Sequence, residues 1–155
     1  MRRFTFLTIL VAALGSAGPV LASPPSPSLG TFAVTGVTSS TASQAGGNMF
    51  ITQTRTGVLT GTFSGTTTDE FFLVIHADGS TTFRGVITCA CVADGRVGTL
   101  TVRFEGTGDL ATNSGRYTLL HGTGGLEDVH GNGPFQTAST GVTTYEGQHH
   151  FDPDS

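Results

Sequence analysis

The sequence predicts an all-β domain of antiparallel strands, folded as a sandwich or a closed barrel, and three observations carry that reading. Gly (23) and Thr (27) together fill about a third of the 155 residues, and both disfavour helix interiors. From Gly30 onward, short segments alternate apolar residues with Thr, a period of two that fits strands. Each segment is bounded by Gly, Asn or Asp, the residues of tight turns. Eleven Phe, spread along the chain with no Trp, provide apolar material for one core, so a single domain is expected.

The first residues read as an address. Arg2 and Arg3 precede an uncharged, mostly apolar stretch from Phe4 to Leu21, and Val20-Leu21-Ala22 offers the small side chains a signal peptidase reads. The expected mature protein is secreted or periplasmic, cut near Ala22. Gly15, Ser16, Gly18 and Pro19 interrupt the stretch, which argues against a permanent membrane anchor. Ser23 follows the cut, so lipid attachment there has no Cys acceptor. Residues 23 to 29, rich in Pro and Ser, read as a disordered spacer, and the domain is expected over 30–152. Beyond position 22 five Arg face eleven Asp and Glu, a net of −6, which excludes a phosphate-binding surface and a nucleic-acid partner.

Strands are expected near Thr31 to Thr38, Met49 to Thr56, Leu59 to Thr66, Asp69 to His76, Thr81 to Val92, Val97 to Thr107, Gly115 to His121 and Val142 to Phe151. Leu59 to His76 also reads as one long, bent strand. Ala77-Asp78-Gly79-Ser80 and Ala93-Asp94-Gly95-Arg96 are hairpin turns, because Asp-Gly tolerates positive φ, and the middle of the chain is thus a meander. Between Gly98 and Glu105, Leu100, Val102 and Phe104 share one face and Thr99, Thr101, Arg103 and Glu105 the wet one. Phe71 to Ile75 is apolar on both faces. One side can fill the interior, and the other calls for a partner subunit, which would make a homo-oligomer, or for a segment of the chain itself.

The run Leu119 to Gly133 is glycine-rich but is no phosphate cradle, since Gly131, Gly133 and Pro134 end any helix within two turns. A short helical turn joining two strands is the physical reading. Gly122-Thr123-Gly124-Gly125-Leu126, continuing to Gly131, resembles the corresponding motif of allene oxide cyclases and plant dirigent proteins. The wider layout is similar to a bacterial family of uncharacterised proteins assigned to the same barrel. It shares the opening Gly30-Thr31-Phe32-Ala33-Val34, Phe63-Ser64-Gly65, the Asp69 to Ile75 strand, the Asp78-Gly79 turn and Phe83-Arg84-Gly85. The resemblance implies an eight-stranded antiparallel barrel, allene oxide cyclase-like within the calycin-like class, with a mainly apolar interior. Proteins of this shape hold a flexible apolar molecule in one conformation, and the motif itself licenses a fold, not a reaction.

Glu70 opens the Phe71 to Ile75 strand and shares a face with Phe72, Val74 and His76. If that face is the lumen, Glu70 is a buried acid–base and Phe72, Val74 and His76 join Leu100, Val102 and Phe104 as ligand contacts. If it is not, Glu70 is a solvated carboxylate. Tyr117 and Tyr145 are candidate donors to a ligand oxygen, or packing residues. The five histidines show no zinc spacing, and His149 and His150, adjacent on a strand, point to opposite faces, so no metal and no cofactor are expected. No serine sits in a Gly-x-Ser-x-Gly elbow. Cys89 and Cys91 share a strand face with side chains about 7 Å apart, too far for a disulfide unless the strand bends. Export to an oxidising compartment nevertheless makes a small-ring bridge the leading expectation.

Two functions of different class follow: an exported module sequestering a small apolar molecule in its lumen, or an isomerase or cyclase that folds an unsaturated lipid-like or polyketide-like substrate, with Glu70 or a tyrosine assisting. A filled barrel with a structural or surface role is the third reading. Binding is preferred over catalysis because no acid–base pair emerges from the spacing.

Overall fold

The computed structural model describes residues 24–152, so the expected secretory signal and its expected cut near Ala22 lie outside the described residues. Eight strands follow one another in chain order around a closed antiparallel barrel. They are β1 (Ser26–Ala45), β2 (Asn48–Gly61), β3 (Ser64–Ile75), β4 (Thr81–Ala93), β5 (Arg96–Gly108), β6 (Asn113–Gly124), β7 (Val129–Thr137) and β8 (Thr143–Phe151). β1 closes on β8 from Ser26 opposite His149 to Phe32 opposite Thr143. Beyond Phe32, β1 pairs with β2 alone and the hairpin projects past the barrel rim, its edge twisted by two register shifts near Val34 and Val37.

The turns obey local chemistry. Asp94 and Gly95 both adopt positive φ, 50° and 76°, the two-residue turn expected of Asp-Gly. At Asp78-Gly79 only the glycine is left-handed, and the Asp78 carboxylate instead accepts from the Ser80 backbone and hydroxyl. Those bonds hold the exposed carboxyl below its usual pKa.

Three expectations are corrected. Met49 to His76 forms two strands rather than three, turning at Thr62-Phe63, where Gly61 takes a φ of 100° and Thr62 N–H donates to the Leu29 carbonyl. β1 begins at Ser26, so the last four residues of the expected spacer belong to the barrel. The glycine-rich run makes its short turn at Gly125 to Asp128, and is then followed by a further strand, β7. Gly131, Gly133 and Pro134 argue against a strand by propensity, but packing overrides it. A Cβ on Gly133 would collide with the β8 backbone, and Pro134 lies on the outer face.

One rule organises the interior. Inward aromatic side chains lie over glycines of other strands: Phe104 over Gly85, Phe83 over Gly106, Phe135 over Gly115, Phe32 over Gly57, Tyr145 over Gly30 and Tyr117 over Gly147. A methyl group on any of these glycines would come within 2.5–2.7 Å of the side chain above it. The rings therefore lie close to the barrel wall, each replacing the packing that a Cβ would otherwise supply. Phe71, Phe83, Phe104 and Phe135 meet one another at centroid distances of 5.9–6.4 Å. Such contacts add about 0.5–1.5 kcal/mol each to the burial itself.

The two ends differ. At the end holding the β2–β3, β4–β5 and β6–β7 turns, Leu100, Leu126, Val129, Cys89 and Phe63 form a solid plug. Leu126, from the glycine-rich turn, is fully buried, so that motif stoppers the barrel. Cys89 and Cys91 lie in the plug as an adjacent pair with Cα atoms 5.3 Å apart, so the strand does bend enough to bring the two sulfurs together. At the opposite end the interior is open.

Candidate functional site

The open end leads into a cavity of about 250 Å³. Its wall combines the four stacked Phe with Phe32, Leu59, Leu73, Ile87 and Val102, and it runs out to Leu110 in the β5–β6 loop and Gly141 in the β7–β8 loop. Leu110 is 73% exposed, and Val34 and Val142 stand half-exposed on the same rim, so the mouth is apolar as well as the interior.

The expected site residues separate into two groups. Val102 and Phe104 line the cavity, and Leu100 lies below them in the plug. Glu70, Phe72, Val74 and His76 do share one face, but it is the outer one. Glu70 is exposed, Phe72 and Val74 border a surface groove beside Arg84, and His76 bonds the Thr82 hydroxyl at 2.9 Å. The lumen face of β3 carries Asp69, Phe71 and Leu73 instead. Alternation alone cannot orient a strand that is apolar on both sides. No described segment crosses the outer face. Phe72 keeps only the Arg84 guanidinium, 5.2 Å from its ring centre.

The acid that does enter the barrel is Asp69, fully buried and paired with Arg55 of β2. Arg55 Nε donates to Asp69 Oδ2 at 3.0 Å and Oδ1 at 3.3 Å, and Nη2 bonds Oδ2 as well. The guanidinium lies 3.8 Å from the Phe71 ring centre and lines the cavity. Neither residue stood out in the sequence, although Arg55 and Asp69 are in phase with Gly57 and Phe71 on their strands.

Tyr117 and Tyr145 both point inward and meet edge to face at 5.8 Å. Tyr145 is committed to architecture: its hydroxyl accepts from the Phe63 backbone N–H and donates to the Thr60 carbonyl, both at 3.2 Å. Tyr117's hydroxyl sits over Gly147 at the cavity floor, near the Ser28 hydroxyl but without a hydrogen bond of normal geometry to it. Burial pushes both phenols above their usual pKa, Ser28 partly opposing at Tyr117 and the Phe63 backbone bond at Tyr145.

Behind the floor, Ser28 Oγ and His149 Nδ1 lie 2.9 Å apart, and His149 Nε2 and Asp94 Oδ2 likewise 2.9 Å apart. Sequence spacing gave no hint of this Ser–His–Asp chain. It has the composition of a hydrolytic triad without its access, since Ser28 is 1% exposed and does not line the cavity. Its work is to tie β1, β8 and the β4–β5 turn at the closed end. His150 points outward, stacked on His130, and both face Asp152 at 3.6 and 3.1 Å.

Fold and cavity together define a small closed antiparallel barrel with an aromatic lumen open at one end. Residues 28–148 match the family model described as Protein of unknown function (DUF3224), and the chain belongs to that family. It is similar in fold to the crystal structure of a DUF3224-family protein of unknown function from Shewanella oneidensis MR-1. The TM-score is 0.67 and the identity 19%, covering 84% of this chain and 100% of that one. No curated protein matches the chain.

Proposed function

We propose that the protein, once exported, binds one small apolar molecule in its lumen and takes it up through the open end. The observation that carries this reading is the 250 Å³ aromatic cavity reaching an apolar rim at Leu110. Ligand sites commonly measure about 300–1,000 Å³, so the occupant is a compact ring system or short chain and not a long-chain lipid. The family likeness to allene oxide cyclase and dirigent barrels fits the holding of such a molecule. Catalysis is the weaker reading, because Glu70 is on the outer surface and Tyr145 is spent on a turn. The test is native mass spectrometry of the protein purified from its own source, followed by extraction of released small molecules. A bound compound is expected, with its loss in Val102→Trp, which fills the cavity. An empty protein that also takes up no naphthalene on dialysis overturns the proposal.

A further inference from the structure

We infer that the molecule held in the lumen carries a neutral hydrogen-bond acceptor, a ketone or ester carbonyl, and that Arg55 is the group that receives it. The inference rests on the lumen-binding reading above and adds the ligand's polar chemistry to it.

Most polar groups on the cavity wall already have partners. Thr81 donates to Asn113 at 3.1 Å, and the Thr137 and Thr143 hydroxyls bond each other at 2.8 Å. Tyr145 is taken by the β2–β3 turn, and the Asp109 carboxylate by the backbone N–H groups of Ala111 and Thr112 in its own loop. Arg55 keeps the only charged donors to spare: the Tyr117 hydroxyl is buried beneath the floor, and the N–H groups of Asn113 Nδ2 stand out at the mouth. A guanidinium has five N–H groups in a fixed fork. Asp69 takes the Nε proton and one on Nη2, and among the described residues nothing accepts the two on Nη1 or the second on Nη2. Nη1 cannot turn back to Asp69, because the planar fork directs it away from an acceptor held at Nε and Nη2. Arg55 keeps 13% exposure and lines the cavity, so those donors have a place to find a ligand.

Charge decides which acceptor fits. Asp69 is fully buried and already neutralises Arg55, so the pair enters the apolar lumen with no net charge. A fatty-acid or other carboxylate would bring a second anion beside Asp69 and leave one charge uncompensated in a low-dielectric space. A carbonyl oxygen accepts the same N–H groups without that cost. Phe71, stacked under the guanidinium at 3.8 Å, fixes the height of the fork in the wall.

The experiment is equilibrium dialysis of the intact protein with three probes of one shape: naphthalene, 2-acetonaphthone and 2-naphthoate. Because Arg55→Met alone strands a buried carboxylate and threatens folding, the variant is Arg55→Met with Asp69→Leu, which replaces both charges by apolar groups. For the unaltered protein, 2-acetonaphthone is expected to bind about tenfold or more tighter than naphthalene, the worth of one charge-assisted hydrogen bond, and tighter than 2-naphthoate. In the double variant naphthalene still binds and the preference for the ketone disappears. If naphthalene and the ketone bind the unaltered protein equally, or the carboxylate binds best, or the ketone preference survives in the double variant, the role of Arg55 is overturned and lumen binding stands. If none of the three binds, both fall.

Discussion

Tyr117 and Tyr145 touch each other, yet replacing each by Phe should move stability in opposite directions. Tyr145→Phe deletes a hydroxyl that bonds Phe63 N–H and the Thr60 carbonyl at a turn whose Phe63 is 3% exposed. Losing these partners, with a buried donor left over, costs about 1–3 kcal/mol. Tyr117→Phe deletes a buried hydroxyl whose polar neighbour, Ser28, is already bonded to His149 and makes no bond of normal geometry to it, so relief of desolvation makes the change neutral or stabilising by about 1 kcal/mol. Both variants keep the ring and hence the 5.8 Å edge-to-face contact. For a domain of this size each kcal/mol moves Tm by about 3–5 °C, so thermal unfolding followed by circular dichroism resolves the two. Ionisation supplies a second reading of the same groups. Both phenols have a folded-state pKa raised by burial. Their contribution is therefore complete below the unfolded value of about 10 and is lost as pH climbs through the folded one. The double Phe variant should lose less stability between pH 9 and about 12 than the unaltered protein. A Tyr117→Phe variant as damaged as Tyr145→Phe would refute the hydrogen-bond assignment and place a partner on Tyr117.

Arg55→Met alone is expected to destabilise by about 3–5 kcal/mol, since it leaves Asp69 charged and buried, whereas adding Asp69→Leu should recover most of that in urea unfolding. Equal stability of the single and double variants would show that the pair is not desolvated. Gly106→Ala places a methyl 2.3 Å from the Ser114 carbonyl oxygen and 2.6 Å from the Phe83 ring and should cost about 1–3 kcal/mol or more, read as a lowered Tm, while Gly79→Ala, with open space around it, should suffer only from its positive φ. The Cys89–Cys91 bridge closes so small a ring that its chain-entropy worth is about 1.5 kcal/mol. The intact mass of the purified protein should be two protons light, and a protein at full mass would place the cysteines as buried thiols.

The wet and dry faces of β5 were legible because Leu100, Val102 and Phe104 alternate cleanly with polar residues, whereas the strand bounds over Met49 to His76 and the strand β7 were not. The orientation of β3 was left open at Glu70, yet the information lay in its neighbours. On six strands an aromatic residue and a glycine stand two apart, hence on one face: Gly30 and Phe32, Phe83 and Gly85, Phe104 and Gly106, Gly115 and Tyr117, Gly133 and Phe135, Tyr145 and Gly147. This is the imprint of rings packed over glycines across the barrel, and it marks the inward face of each strand independently of hydrophobicity. Once Phe83 and Gly85 are turned inward, the β3–β4 hairpin register, Ile75 opposite Thr81, places Phe71 opposite Gly85 and Asp69 opposite Ile87. Phe71 and Asp69 must then enter the lumen and Glu70 must leave it. β2 and β3 are the two strands on which the aromatic-and-glycine spacing fails within the lumen, and there stand Arg55, two residues before Gly57, and Asp69, two before Phe71. A local rule kept on six strands is broken on the remaining two by a charged pair, and that break is what singles out Arg55 on the lumen wall, since sequences depart from such rules most often at functional sites.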